Sequence, residues 1–502
     1  MYIHYNKLDM QDSRNSVIDI DPEKFRELGH QLIDQIGDFL AGLNSRAVTT
    51  GESPAVLKAL LGDRGLPETG ESPDKILAGA SELLFNHSLL NGHPKFFGYI
   101  TSSPAPLGAL ADLLAAIVNP NVGANILSPM ATQIERQTIR WLAELIGVDI
   151  SYGGILVSGG NMANFTAFLA ACKVKGMHSP KDADSRERDV TVYCPKTTHT
   201  WIEKAVLCFG LSAEALRWID VNKANQIDTN ILEQTIREDI SKNRKPMMVI
   251  GTAGDVSTGA VDDLKALASI CKKYGLWFHV DGAYGMPAAA VPSQSHLFEG
   301  IREADSIAID PHKWLYSPLE AGCVLVKDPN HLTETFSSHP VYYNFSVEDG
   351  PAGINFYEYG LQNSRGFRAL KVWASLQHLG RSGYEKLIEE DIRLSKRMFS
   401  LAINHPELEA VTQNLSIATF RYVVPDTTGQ KMNEEQLNHL NERLLNTIQQ
   451  KGEAFLSNAV IDGKFCLRAC IVNFRTTEKD IEEVIDIVVR EGRELLKMYF
   501  SG

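Results

Sequence analysis

The chain has 502 residues, which at roughly 150 per domain gives about three lobes, or one large domain with additions. Its 44% hydrophobic, 22% charged and 8% aromatic residues are those of a folded globular chain and exclude disordered, collagen-like and membrane-embedded classes. Lysine and arginine number 49 against 62 aspartates and glutamates, a net charge of −13, so the surface repels phosphate backbones and anionic lipid, and neither nucleic acid nor membrane is an expected partner.

The first hundred residues read as helical. After the start signal Asp21-Pro22, Phe25, Leu28, Leu32, Ile33, Ile36 and Leu40 recur at helical spacing, and no strand pattern is evident. From Asn91 the texture changes to a Pro- and Gly-punctuated stretch, His93-Pro94 through Pro106. It leads to an amphipathic helix with Ile134, Trp141, Leu142 and Leu145 on its apolar face, interrupted by Thr138. Between Gly153 and Asp328 short apolar runs alternate with helical periods: Ile155–Ser158, Val190–Cys194, Met247–Thr252, Leu276–Asp281, Ser306–Asp310 and Cys323–Lys327, with Val261–Tyr274 the clearest helix. Such alternation predicts an α/β fold, a mainly parallel central sheet with helices on both faces. Beyond Gly366 a helix rich in Leu, Trp and Lys leads to a C-terminal lobe with strands at Ala418–Val423 and Phe465–Val472 and a helix at Glu478–Tyr499. Polar segments 178–189 and 425–432 are the weakest links, and no internal repeat is visible.

Seven cysteines (Cys172, Cys194, Cys208, Cys271, Cys323, Cys466 and Cys470) are odd in number, scattered through apolar segments and contain no CxxC pair, the usage of buried thiols in a reducing compartment. No basic segment followed by an apolar one opens the chain, and the most apolar long stretch, Ala105–Val118, is short and carries Asp112. The expected location is cytoplasmic.

In an open α/β sheet, ligands sit beyond the carboxyl ends of the strands, so the residues ending each run carry the functional argument. The first run ends in Ser158-Gly159-Gly160-Asn161 and passes into a helical Met162-Ala163-Asn164-Phe165. A small-residue turn at a helix N-terminus bares backbone N–H groups and suits a phosphate, although Gly-Gly before a helix also serves as plain turn chemistry. The run Leu276–Asp281 ends in a carboxylate followed by Gly282-Ala283-Tyr284-Gly285. Such an acid needs a cation or hydrogen-bond donors to offset its burial, or else caps the next turn. The run Ser306–Asp310 leads into Pro311-His312-Lys313-Trp314, one lysine at the mouth of the same sheet, where a solvated surface lysine is the plain alternative. Together the three features ask for one ligand with an anionic phosphate, a ring nitrogen that wants a carboxylate and an aldehyde that wants an amine. Pyridoxal 5'-phosphate has all three: beside Asp281 its pyridine nitrogen stays protonated and the ring acts as an electron sink, while Lys313 meets its aldehyde. His199, opening another helix after the strand that ends at Cys194, either stacks on the ring or is an ordinary helix-start histidine.

These residues carry a resemblance. From about His93 to Arg475 the chain resembles the group II pyridoxal-phosphate-dependent amino-acid decarboxylases, the family of the aromatic-L-amino-acid, histidine, glutamate and cysteine-sulfinate decarboxylases. The most specific piece is Asp310-Pro311-His312-Lys313-Trp314, supported by His279-Val280-Asp281-Gly282-Ala283-Tyr284 and His93-Pro94-Lys95-Phe96-Phe97-Gly98-Tyr99. The resemblance implies a fold type I, aspartate-aminotransferase-like architecture: residues 1–104 as an N-terminal helical arm and dimerisation segment, 105–378 as the large cofactor-binding domain and 379–502 as a small C-terminal α+β domain. It also implies an obligate homodimer with a shared active site, and no metal. Carried onto this sequence, Lys313 would be the Schiff-base lysine, His312 would contribute to phosphate or loop contacts, and Asp281 would pair with the pyridine nitrogen. Ala283 would lie under the ring, His199 would stack on its other face and help orient the substrate carboxylate, and Gly160 and Asn161 would hold the phosphate. The loop tyrosine that protonates the substrate α-carbon after CO2 leaves falls on Tyr342, within His339-Pro340-Val341-Tyr342-Tyr343; an ordinary loop aromatic is the alternative.

Two positions depart from the aromatic decarboxylase pattern: Gly366 stands for one of the paired arginines the family often has before the LKxW segment, and Asp255 where the animal aromatic enzymes tend to carry threonine. Both are expected near the cofactor. The expected pocket wall, Tyr99, Ile100 and Thr101 with Asn121 and Leu127, is mixed apolar and polar and carries no arginine or lysine for a second carboxylate. That favours an aromatic L-amino acid over glutamate, aspartate or cysteine sulfinate; diaminobutyrate is a further alternative substrate. Oxidative decarboxylation to an aldehyde is the rival reaction, and relatives that perform it tend to carry phenylalanine at the loop position of Tyr342. A non-catalytic cofactor-binding homologue would show erosion of Lys313, Asp281 or Tyr342, and all three are in place.

Overall fold

The computed structural model describes residues 16, 18–176, 190–338, 353–425 and 431–501. Compactness divides the chain between Leu89 and Leu90. The first unit holds α1 (Pro22–Gly42), α2 (Pro54–Leu61) and α3 (Pro73–His87). Each begins on a proline, whose missing N–H has no partner to lose at that position, and Asp21 caps α1 by accepting the Glu23 N–H at 2.8 Å. α1 and α3 are joined by the Phe39–Phe85 stack, with centroids 4.5 Å apart, and by Lys24–Asp74 at 2.6 Å.

The second unit begins with residues 90–104, expected in the helical arm. Phe96 and Phe97 are buried; the Phe97 N–H donates to the Phe455 carbonyl at 2.7 Å and its carbonyl accepts from Cys470 N at 3.0 Å. Backbone pairing and two aromatic anchors bind this stretch to the C-terminal lobe. Then follow α4 (Pro106–Val118), α5 (Pro129–Leu145), β1 (Gly153–Val157), α6 (Gly160–Val174), β2 (Val190–Pro195), α7 (Trp201–Cys208), β3 (Leu216–Ile219), α8 (Thr229–Ser241), β4 (Lys245–Thr252), α9 (Leu264–Tyr274), β5 (Trp277–Asp281), β6 (Ser306–Ile309), β7 (Gly322–Val326) and α10 (Asn330–Phe336). The seven strands form one sheet in the order β1-β7-β6-β5-β4-β2-β3. β7 is antiparallel to both neighbours and the remaining pairs are parallel, because the short link from β6 to β7 carries no covering helix to return the chain. β3 escaped the sequence reading: it has four residues and exposes Trp218 at a sheet edge.

α11 (Ala369–Asn404) is broken at Gly380, whose φ of 62° lies outside helical space, and leads to the small domain. There β8 (Leu408–Asn414), β9 (Ile417–Tyr422), β10 (Ser457–Ile461) and β11 (Lys464–Cys470) pair antiparallel in the order β10-β11-β9-β8, covered by α12 (Glu434–Lys451) and α13 (Glu478–Ser501). The two expected strands are the inner pair. The outer two were missed because β8 is only partly buried and polar, and β10 alternates buried and exposed residues over a short span. Among the described residues no helix is long and apolar enough to cross a membrane.

The expected apolar stripe of α5 needs correction. Its buried face is Ala131, Glu135, Thr138, Leu142 and Leu145, while Ile134 and Trp141 are half-buried at the wall of a separate cavity of about 1030 Å³. Thr138 fits inside because its hydroxyl donates to the Ile134 carbonyl at 2.7 Å. Glu135 fits because Arg365 meets it at 2.5 Å. Glu135 also accepts the Leu156 N–H, and Arg365 donates to the Leu156 carbonyl at 2.6 Å, so this pair grips β1 by both backbone groups. Removing one partner strands a buried charge, so Arg365→Met is expected to lower the unfolding free energy by about 3–5 kcal/mol, with most of the loss recovered in the double variant Arg365→Met/Glu135→Met. Urea unfolding midpoints of the three proteins check this.

Candidate active site

All parallel strands of the large sheet present their carboxyl ends on one edge, and β1, β2, β4, β5 and β6 deliver side chains there. β1 passes to α6 through Ser158 and Gly159. Gly159 has a φ of 150°, and a Cβ on the facing Gly322 would come within 2.5 Å of its Cα, so β7 starts flush against the turn. A Cβ on Gly160 would lie 2.7 Å from Asp310 Oδ2 and 3.2 Å from Ala283 Cβ. The ends of β1, β5 and β6 thus close on one point.

In front of them is a cavity of about 190 Å³ lined by Ile100, Gly160, Asn161, Asn164, Thr197, His199, Thr252, Gly254, Val256, Asp281, Ala283, Tyr284, Asp310 and Lys313. Lys313 Nζ lies 3.0 Å from Asp310 Oδ2, and Asp310 is buried, so the lysine is aimed along the cavity wall. Behind it Trp314 stacks on Tyr284 at 5.0 Å, and Asp391 of α11 accepts from Trp314 Nε1 at 2.9 Å and Tyr316 Oη at 2.5 Å. Burial pushes the Asp391 carboxyl up to about 7. Asp281 receives Trp201 Nε1 at 2.7 Å and Asn164 Nδ2 at 3.1 Å on Oδ2, and the Ala283 N–H at 3.2 Å on Oδ1. His199 Nδ1 accepts the Trp201 N–H at 3.4 Å, and burial holds the imidazole below its ordinary pKa against the opposing pull of Asp281. His312 stands behind the glycine turn: its Nδ1 accepts the Ala321 N–H at 3.0 Å, and burial lowers its pKa as well.

Of the sequence candidates, the structure gathers Lys313, Asp281, His199, Gly160, Asn161, Ala283 and Ile100 around one cavity. Tyr99, Thr101 and Asn121 do not line it. The Asn121 carboxamide is spent on the Gly123 and Arg365 N–H groups, both at 3.1 Å, and the Tyr99 ring leans on Phe455 at 6.3 Å. Tyr342 lies outside the described residues. Asp255 is buried beside the cavity, between Gly254 and Val256 that line it, and Gly366 lies in open space away from it. Asn164 and Trp201 were missed, though Asn164, one helical turn beyond Gly160, lines the cavity and Trp201, two residues beyond His199, donates to Asp281.

Comparison with known proteins agrees with this geometry. Residues 54–423 match the pyridoxal-dependent decarboxylase conserved domain. The chain belongs to the pyridoxal-dependent decarboxylase family. Residues 400–497 also match the PDXDC1-like second central domain. This decarboxylase is 33% identical over 469 residues to an aromatic-L-amino-acid decarboxylase of Bacillus atrophaeus, covering 93% of this chain and 95% of that one. It is 30% identical to a phenylacetaldehyde synthase of Petunia hybrida, covering 90% and 91%. Its fold superposes on Oryza sativa TDC with PLP and tryptamine at a TM-score of 0.90, with 23% identity over 96% of this chain and 100% of that one. Mouse CSAD gives a TM-score of 0.88 at 24% identity over 94% and 99%. The enzyme is thus a carbon–carbon lyase of fold type I that uses pyridoxal phosphate.

The residues present fit that cofactor. The glycine turn leaves a side-chain-free seat at a helix N-terminus, and Thr252 Oγ1 is buried at the cavity wall with no hydrogen-bond partner among the described residues. Gly160→Ala crowds the seat at a cost typical of overpacking and is expected to weaken pyridoxal phosphate binding about tenfold or more, read by titrating the apoenzyme. The raised Asp391 carboxyl binds a proton in the folded state between about pH 4 and 7 that the unfolded chain has released. Stability therefore falls as pH rises through that window, by up to about 1.4 kcal/mol per pH unit from this group. Asp391→Asn is expected to flatten the fall, which unfolding measured at pH 4.5 and 7.5 checks.

Proposed function

We propose that this decarboxylase converts an aromatic L-amino acid, of the tryptophan, tyrosine or phenylalanine type, to its amine and CO2, and that it works as a cytoplasmic homodimer with a shared site. The observation that carries the substrate class is the cavity wall: Lys313 is its one lysine or arginine among the described residues, and Ile100, Val256 and Ala283 are apolar. A second carboxylate on the substrate would find no cation of its own there. The name of the Bacillus atrophaeus relative points the same way.

Bound pyridoxal phosphate supplies an aldehyde for the substrate amine and an electron sink for the pair left when CO2 departs. Lys313 Nζ, steadied by Asp310, would hold that aldehyde, and the N–H groups of Gly160 and Asn161 at the start of α6 would hold the phosphate. Asp281 would keep the proton on the ring nitrogen, with Ala283 and His199 on the two ring faces and His312 backing the glycine turn. His199 would orient the substrate carboxylate. Tyr342 would hand its phenolic proton to the substrate α-carbon.

The dimer is supported by α4, which exposes Leu110, Leu113, Leu114, Ile117 and Val118 at 52–66% of their surface, an apolar face of the kind an obligate interface covers. The reducing location is supported by cysteines that are all free and, except Cys208, buried. An aldehyde-forming oxidative reaction is the second reading, favoured by the likeness to the phenylacetaldehyde synthase; Tyr342 argues against it.

The test offers the purified enzyme, with pyridoxal phosphate, a panel of tryptophan, tyrosine, phenylalanine, glutamate, aspartate and cysteine sulfinate, and follows CO2, amine and peroxide together. An aromatic substrate is expected to yield amine and CO2 in equal amounts without peroxide, and Lys313→Ala to abolish turnover. Stoichiometric peroxide would establish the aldehyde-forming reaction instead, and turnover of an acidic substrate alone would overturn the assigned class. Sedimentation of the same preparation at twice the chain mass is expected.

A further inference from the structure

Behind Asp281 runs an unbroken chain of buried hydrogen bonds that the decarboxylation scheme does not use. Trp277 Nε1 donates to Ser306 Oγ at 2.8 Å, Ser306 Oγ lies 2.9 Å from His279 Nδ1, and His279 Nε2 lies 2.9 Å from Asn164 Oδ1. Asn164 Nδ2 then donates to Asp281 Oδ2 at 3.1 Å. Trp277, Ser306, His279 and Asn164 are each at most 1% exposed, so the chain is shielded from bulk water. The Trp201 indole stands edge-on to His279 at 5.8 Å and places its own N–H on the same Asp281 oxygen.

The carboxylate end dictates the direction of the whole. A carboxylate can only accept, whereas the Ser306 oxygen, having accepted from the Trp277 indole, can still either donate to Nδ1 or accept from it. Burial drives the His279 pKa down to about 4, so the ring carries one N–H and one bare nitrogen. The one arrangement that satisfies Asp281 turns the Asn164 amide nitrogen toward the carboxylate, puts the imidazole proton on Nε2, directed at Asn164 Oδ1, and has the Ser306 hydroxyl donate to the bare Nδ1. With the imidazole proton on Nδ1 instead, Nε2 would demand a donor, the Asn164 amide would rotate, and its oxygen would face the carboxylate, a repulsive contact in a low-dielectric interior.

We propose that Ser306, His279 and Asn164 are positioning residues, a one-way hydrogen-bond relay that presents only N–H donors to Asp281 Oδ2 and so holds the carboxylate in the orientation that keeps the cofactor's ring nitrogen protonated. The proposal rests on the reading of Asp281 as the partner of that nitrogen. It adds that the donor pattern around Asp281 is supported from Ser306, three hydrogen bonds away on the neighbouring strand β6.

The test loads wild-type apoenzyme and the variants Ser306→Ala, Asn164→Ala and Asp281→Asn with pyridoxal phosphate labelled with 15N in the ring, records the 15N resonance, and measures kcat and KM with the amino acid that turns over best. Asp281→Asn is expected to move the resonance to the position of an unprotonated ring. Ser306→Ala and Asn164→Ala are expected to move it part of the way and to lower kcat about 10- to 100-fold at constant KM, the usual cost of losing an outer-shell partner. Ser306→Thr, which keeps the hydroxyl, is expected to restore the resonance. Asn164 lies in a helix, where alanine is favoured, so that variant carries the test should Ser306→Ala not fold. If Asp281→Asn shifts the resonance while the two alanine variants leave it and the kcat unchanged, the relay is overturned and the role of Asp281 stands. If Asp281→Asn leaves it unmoved, both fall.

Discussion

A carboxylate at the end of a buried strand has to be answered by donors or by a cation, and Asp281 is the residue around which this molecule meets that demand. β5 is buried along its whole length, and Asp281 makes no ion pair with a lysine or arginine among the described residues; its partners are an indole, a carboxamide and a backbone N–H. Asp310, on the wall of the same cavity, is paired with Lys313. The site thus holds two buried acids and one amine, a balance suited to a ligand that brings a positive ring and a negative phosphate to opposite ends.

The surrounding structure fixes these groups from three sides. Glu135 and Arg365 hold the strand that feeds the glycine turn. Asp391 holds the aromatic residues that follow Lys313. From the small domain, Arg468 donates to the Val256 carbonyl and Asn414 to the Thr258 carbonyl at 3.0 Å. The small sheet thereby grips the turn carrying Gly254, Asp255 and Val256 at the cavity rim, and a shift between the two sheets would be felt directly in the cavity wall.

Much of this was legible in the residues. Strand-end chemistry was enough to single out Gly160, Asp281 and Lys313, because polar groups at the ends of apolar runs are conspicuous, and the alternation of runs and helical periods placed the parallel sheet. Pairing was not legible: nothing local to Cys323–Lys327 says that it runs backwards between β1 and β6, and the short outer strands β3, β8 and β10 carry too little apolar pattern to register. Thr138 read as a break in an apolar stripe because its partner is the Ile134 carbonyl of its own helix, and Glu135 was left off the buried face because its partner, Arg365, is distant in sequence. Part of the expected pocket wall lies off this cavity for a related reason. Asn121 is polar on paper but has its carboxamide committed to backbone N–H groups, which only the fold reveals.

The strand order also bears on how the chain comes into being. β1 ends at Val157, yet its one neighbour in the sheet among the described residues is β7, which begins at Gly322. The glycine turn therefore emerges from a ribosome long before the strand that supports it, and at roughly 5–20 residues per second the wait is on the order of ten seconds or more. Over that interval β1, apolar on both faces, has an unpaired edge of the sort that invites wrong partners. Insertion of β7 between β1 and β6 gives β1 its partner strand and Gly159 its backing, so the proposed seat for pyridoxal phosphate is completed in the same event that pairs β1.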